Sequence, residues 1–117
     1  MFSAPMEACF EQLGQVLLIA VSGRLDTLTA PQFDARAAPL LAGPQGRILL
    51  DVSGLEYISS AGLRSILQVA KVAEANGGKA GVFGVPAQVA EVLKIAGVSS
   101  RLEVYADRAS ALAQGNA

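Results

Sequence analysis

The sequence predicts a single α/β domain: a mixed, mostly parallel sheet with an N-terminal hairpin at one edge and about four helices. Three observations predict it. Short apolar runs alternate with segments of helical spacing along most of the chain, and such alternation implies crossover units and parallel strands. Ile48-Leu49-Leu50 is continuously apolar, as in a strand covered on both faces. Two strand-like runs flank Gly14 at the start, which suggests a tight antiparallel pair.

Taken in order, Glu7–Leu13 and Gln15–Ser22 form the hairpin, turning at Leu13-Gly14-Gln15. Gly23-Arg24-Leu25-Asp26 reads as a turn. Thr29 is the expected N-cap of a first helix, with Pro31 tolerated in its first turn. Phe33, Ala37, Leu40 and Leu41 recur at helical spacing, and Pro39 is expected to kink or end the helix near Ala38. Gly43-Pro44-Gln45-Gly46 is a loop. Arg47–Val52 is a strand, followed by a loop holding Ser59 and Ser60. Leu63, Ile66, Leu67, Ala70 and Ala73 then mark the inner face of a helix running to about Ala75. Asn76-Gly77-Gly78 stops it. Lys79–Phe83 is a short strand, Pro86 opens a helix ending at Gly97, and Leu102–Tyr105 is the last strand. Asp107 caps a final helix over Arg108–Ala113, and Gln114–Ala117 is expected to fray.

Composition narrows the function. Hydrophobic residues make up 52% of the 117 residues and charged ones 16%, enough apolar material for a core. The formal net charge of −1 argues against the basic face that nucleic-acid binding needs. The one cysteine, Cys9, excludes an internal disulfide and a thiolate zinc cluster, and it is expected to pack as a small apolar residue. No apolar run is long enough for a membrane span, and the N-terminus lacks a signal-peptide pattern, so a cytoplasmic protein is expected. There is no histidine, which removes the commonest general base and metal ligand. Gly77-Gly78-Lys79-Ala80 fails as a phosphate loop because it ends a helix and no Ser or Thr follows the lysine. No enzyme, cofactor or metal signature remains.

The serine pair is the strongest candidate site. A helix start offers unpaired N–H groups and partial positive charge, and a serine there serves as a cap. That plain capping role fits Ser60 or Ser59. Three features suggest more. The pair follows a strand closely, so it lies at the carboxyl end of the sheet, where open α/β folds place their sites. Gly62 sits in the first helical turn at a cost of about 1 kcal/mol relative to alanine, which suggests close approach by another chain or a ligand. No Glu or Gln completes a capping box. Asp26 and Asp51 each end an apolar run and could share the serines' rim, or simply hold their own turns. Tyr57 is a candidate interface residue; Phe33 and Phe83 read as core. Arg24, Arg64, Lys71 and Lys94 read as scattered solvated charges.

Gly23-Arg24-Leu25-Asp26, then Leu49-Leu50-Asp51-Val52-Ser53-Gly54-Leu55 and Tyr57-Ile58-Ser59-Ser60-Ala61-Gly62-Leu63, resemble the STAS domain, most closely that of bacterial anti-sigma factor antagonists. The resemblance extends over about residues 7 to 113. It implies a hairpin-edged sheet with helices packed largely on one face, and a protein that is not an enzyme. It implies binding to an anti-sigma factor that is also a serine kinase of the histidine-kinase-like ATPase fold, with release on serine phosphorylation and reversal by a PP2C-type phosphatase. Ser60 aligns with the phosphoacceptor and is expected to cap the helix as well, while Ser59 stands where the family usually has an acid, so Ser59 remains the alternative acceptor. Asp26 matches an aspartate lining the same surface. The expected partner surface is Asp26, Tyr57, Ser59, Ser60, Gly62 and Arg64 on a monomer or weak dimer. STAS-like proteins also serve as structural subunits of stress-sensing assemblies and of lipid-transporter complexes, which is the alternative function.

Overall fold

The computed structural model describes residues 5–43 and 46–115. Two strands open the chain, β1 (Glu7–Leu13) and β2 (Val16–Leu25), followed by α1 (Ala30–Leu41). Next come β3 (Arg47–Asp51), β4 (Leu55–Ile58) and α2 (Ser60–Ala75). The chain then forms β5 (Ala80–Phe83), α3 (Ala87–Ile95), a 3₁₀ turn over Val98–Arg101, β6 (Leu102–Tyr105) and α4 (Arg108–Gly115). The sheet runs β1-β2-β3-β5-β6, with β4 attached to β2. Only β1 and β2 pair antiparallel; every other pairing among the described residues is parallel. This is the mixed, mostly parallel sheet that the strand–helix alternation predicts.

Alternation along β2 sorts the two faces. Leu17, Ile19, Val21 and Leu25 turn into the main core with Phe33 and Ala37 of α1, Ile66, Val69 and Ala70 of α2, and Val89 and Leu93 of α3. Burying each large aliphatic side chain contributes about 1.5–3 kcal/mol, so these three helices are held mainly by their apolar faces. Val16 and Leu18 turn the other way, with Leu49 and Phe83, against Ala111 of α4. Three helices thus cover one face and α4 part of the other. Arg47 fastens α4: its guanidinium donates to the Ala111 carbonyl at 2.7 Å and to the Tyr105 hydroxyl at 2.7 Å.

Five local expectations need correction. The Gly23–Asp26 segment is not simply a turn, because β2 continues to Leu25. Gly23, at φ +80°, forms an irregularity in the strand, and beyond it Arg24 pairs with Tyr57 and Leu25 with Ile58. The stretch before the serines is therefore a strand, β4. Its burial runs Leu55 in, Glu56 and Tyr57 out, Ile58 in, so the alternation that reveals a strand is missing from its sequence. Pro39 does not end α1. It lies in the last turn on the exposed side, where the lost N–H bond matters least, and Ala42 N–H still reaches the Ala38 carbonyl. Cys9 is not packed away: it faces solvent on the edge strand β1. At the C-terminus, α4 extends through Gly115, so the fraying expected from Gln114 does not begin there, and residues 116–117 lie outside the described residues. Pro44 and Gln45 of the expected loop also lie outside them.

Candidate functional site

Strand β2 is ten residues long because it serves two neighbours in succession. β3 lies along Val16–Ala20 and β4 along Gly23–Leu25 on the same side. The chain steps from one to the other through Val52-Ser53-Gly54, where Gly23 N–H bonds the Gly54 carbonyl at 3.0 Å. A Cβ on Gly54 would lie 2.8 Å from Ser22 Cβ, so glycine allows this close approach. The step carries β4 to the far end of β2 and delivers the serines to the carboxyl rim. Ser59 N–H then bonds the Leu25 carbonyl at 3.0 Å, and α2 begins directly against the end of β2.

At this junction the serines separate into two roles. Ser59 has extended backbone, φ −100° and ψ 179°, and its Oγ accepts the N–H of Gly62 at 3.3 Å. Ser59 is the N-cap, which corrects the expectation that Ser60 serves as cap as well as acceptor. Ser60 is the first helical residue, and its side chain is exposed. Among the described residues its hydroxyl has no hydrogen-bond partner, and the N–H groups of Ser60 and Ala61 have no acceptor. No acid occupies the first turn of this 16-residue helix. The site therefore combines a free hydroxyl, two unpaired N–H donors and the positive end of a helix dipole.

Gly62 does not face outward. It is buried, and a Cβ there would lie 2.4 Å from the Leu25 carbonyl oxygen and 2.9 Å from Ile58 Cγ1. Its role is internal: it lets α2 rest on the end of β2. A direct partner contact at Gly62 does not fit this burial.

Asp26 holds the adjoining turn. Its Oδ1 accepts the N–H of Leu28 at 3.0 Å and of Thr29 at 3.1 Å. The Thr29 N–H bond leads the influences that hold its carboxyl below the ordinary aspartate range. Thr29 Oγ1 turns back to donate to the Arg24 carbonyl at 2.7 Å and accept Asp26 N–H at 2.9 Å. Thr29 precedes α1 as expected but makes no side-chain cap, because that hydroxyl is engaged inside the turn. The free edge of Asp26 faces Arg24, with Nε and Oδ2 3.7 Å apart.

Arg24 is more than a scattered surface charge. Strand pairing sets it beside Tyr57, and its guanidinium carbon lies 4.1 Å from the ring centroid, a cation–π contact. Tyr57 remains 42% exposed, enough to meet a partner while held from behind. Leu28, next to the Asp26 turn, is 81% exposed, the most exposed large apolar side chain among the described residues. Sequence reading missed both Arg24 and Leu28. The first becomes visible only through the β2–β4 pairing, and the second had no periodic signal. Arg64 is exposed one helical turn after Ser60, at the mouth of a groove of about 530 Å³ between α1 and α2, floored by Phe33 and Val69.

Asp51 is not part of this group. Its Oδ1 accepts both the N–H of Ser53 at 3.0 Å and the Ser53 hydroxyl at 2.7 Å, and it lines a separate cleft with Glu7, Cys9 and Ser22. The acidic pocket of two carboxylates around a serine does not form. Among the described residues no cluster of His, Cys, Asp and Glu could hold a metal, and no helix is long and apolar enough to cross a membrane.

An α/β sheet with a hairpin edge, and a hydroxyl-bearing helix start at the end of a strand shared by two parallel neighbours, defines the class. The sequence model of the family described as Mlab, STAS domain, matches residues 9–104, and the chain belongs to the STAS domain family. Among individual proteins, it is 32% identical over 108 residues to BtrV of Bordetella bronchiseptica, named as a candidate anti-sigma factor antagonist, covering 92% of this chain and 93% of BtrV. The fold matches the crystal structure of an anti-sigma factor antagonist from Mycobacterium paratuberculosis with a TM-score of 0.87 at 22% identity, covering 99% of this chain and 100% of that one. It also matches the Bacillus cell fate determinant SpoIIAA in its phosphorylated form, with a TM-score of 0.73 at 18% identity over 92% of this chain and 98% of that one.

Proposed function

We propose that this chain is an anti-sigma factor antagonist, a regulator without catalytic activity of its own, whose partner binding is switched by phosphorylation of Ser60. The partner is an anti-sigma factor that is also a serine kinase of the histidine-kinase-like ATPase fold, and a PP2C-type phosphatase restores the unmodified form. The observation that carries this reading is the division of labour at the α2 start. Ser59 is committed to the helix as its cap, whereas the Ser60 hydroxyl is exposed and unpartnered. Asp26, Arg24, Tyr57, Ser60 and Arg64 form the docking surface around it, with Ser59 supporting it.

The switch follows from electrostatics. Phosphate brings about −1.5 to −2 charges at pH 7. At a helix start the unpaired N–H groups and the dipole accommodate that charge, so the fold need not change. A partner surface that closes over a neutral hydroxyl instead meets a bulky anion close to Asp26. Burying an unpaired charge costs several kcal/mol, enough to abolish a micromolar complex. The test is a titration of the kinase with two variants. Ser60→Ala should bind like the unmodified protein, and Ser60→Asp should bind at least about tenfold more weakly, a loss of about 1.4 kcal/mol or more. Equal affinity for the two variants would overturn the electrostatic account.

A further inference from the structure

Ser60 and Arg64 are four residues apart on α2, and both side chains are exposed. Residues at this spacing are neighbours on a helix surface, with Cβ atoms about 5–6 Å apart. Helical side chains also lean toward the N-terminus, so Arg64 leans toward Ser60. An anion placed one turn before a cation is the favourable order. Among the described residues the Arg64 guanidinium has no hydrogen bond, ion pair or ring contact. Asp34 shares the α1–α2 groove with it, yet the two are not ion-paired. The other arginine of the site is engaged: Arg24 lies on Tyr57 and faces Asp26. The residue four places after Ser59 is the apolar Leu63, so a phosphate on Ser59 would find no cation one turn on.

We propose that Arg64 is the built-in counter-ion of phosphorylated Ser60. The inference rests on the reading of Ser60 as the acceptor. In the unmodified protein Arg64 is a free arm within the docking surface. After phosphorylation it forms a charge-assisted pair with the phosphate oxygens and holds them along the helix. The modification then acts twice, adding an anion where a partner docks and withdrawing a cation that a partner's carboxylate could use.

The test installs phosphoserine at position 60 during translation, so it does not depend on any kinase. Thermal midpoints are measured for the unmodified and phosphorylated full-length chain, each with Arg64, Arg64→Gln or Arg64→Lys. Phosphate should raise the midpoint by about 2–4 °C more with Arg64 than with Arg64→Gln. Arg64→Lys should recover much of the difference, and 1 M NaCl should remove most of it. A phosphate effect of the same size with Arg64 and Arg64→Gln overturns the inference, and so does a difference that high salt leaves untouched. Failure of the underlying reading shows elsewhere, as a kinase that leaves Ser60 unmodified.

Discussion

Two helices begin side by side at the carboxyl end of β2, and they treat their hydroxyl groups in opposite ways. Before α1, Thr29 Oγ1 donates to the Arg24 carbonyl and accepts the Asp26 N–H, while the Asp26 carboxylate takes the N–H groups of Leu28 and Thr29. The turn is a closed knot, and its hydroxyl is used up inside it. Before α2, Ser59 caps one N–H, and the next hydroxyl and two N–H groups are left open to solvent. Both starts are built from residue types that favour helix caps. The two starts differ not in residue type but in the hydrogen-bonding capacity left over, and that capacity is what the proposed modification of Ser60 would use. The acid three residues before each start behaves differently: Asp26 turns its carboxylate onto the N–H groups of Leu28 and Thr29, whereas Glu56 points outward from β4.

The contrast can be broken most severely at Gly62. Alanine gains helix propensity, but its Cβ would press on the Leu25 carbonyl oxygen at 2.4 Å and force α2 away from β2. Denaturant unfolding of Gly62→Ala should show a net loss of about 1–3 kcal/mol. Unchanged stability would mean that the junction is loose and its open donors are not held in place. Ser59→Ala removes a cap and should cost about 1 kcal/mol, measured the same way.

Asp26→Asn sharpens the comparison from the closed side. The Asp26 carboxyl is held below its ordinary value of 3.8, first by the Thr29 N–H bond. A depressed folded value means the contribution is present above the unfolded value and is lost as pH falls through the folded one. The thermal midpoint of Asp26→Asn should therefore lie below that of the parent at pH 7. The gap should narrow below about pH 4, as Asp26 itself is protonated. A gap of constant size across that range would show that charge has no part in the knot. The smallest effect belongs to Ser60→Ala, which breaks no bond and should change stability by less than about 0.5 kcal/mol. A loss equal to that of Ser59→Ala would contradict the division of roles.

Much of the sheet was legible because its strands are apolar runs between clear turn signals. β3 announces itself in Ile48-Leu49-Leu50, and the inner face of α2 in its helical spacing. β4 was hidden because two of its four residues, Glu56 and Tyr57, point outward in succession. Gly23 resembled the end of a strand, whereas it is an irregularity within one. The serine pair was legible as a helix entrance, but its asymmetry depends on which residue begins the helix. A shift of one residue exchanges cap and open hydroxyl, and local sequence does not resolve a boundary that finely. Gly62 stands out in the sequence by its cost, yet its cause is a contact with Leu25, distant in sequence. Arg24 over Tyr57 likewise exists only because β4 lies beside the end of β2.

The central claim is that Ser60 is the residue written on and Ser59 the residue that holds the helix. Incubation with the cognate kinase and ATP, followed by fragmentation mass spectrometry of the Arg47–Leu67 region, tests it most directly. The account predicts phosphate on Ser60, still acquired by Ser59→Ala and absent from Ser60→Ala. Phosphate on Ser59, or modification that persists in Ser60→Ala, would contradict it.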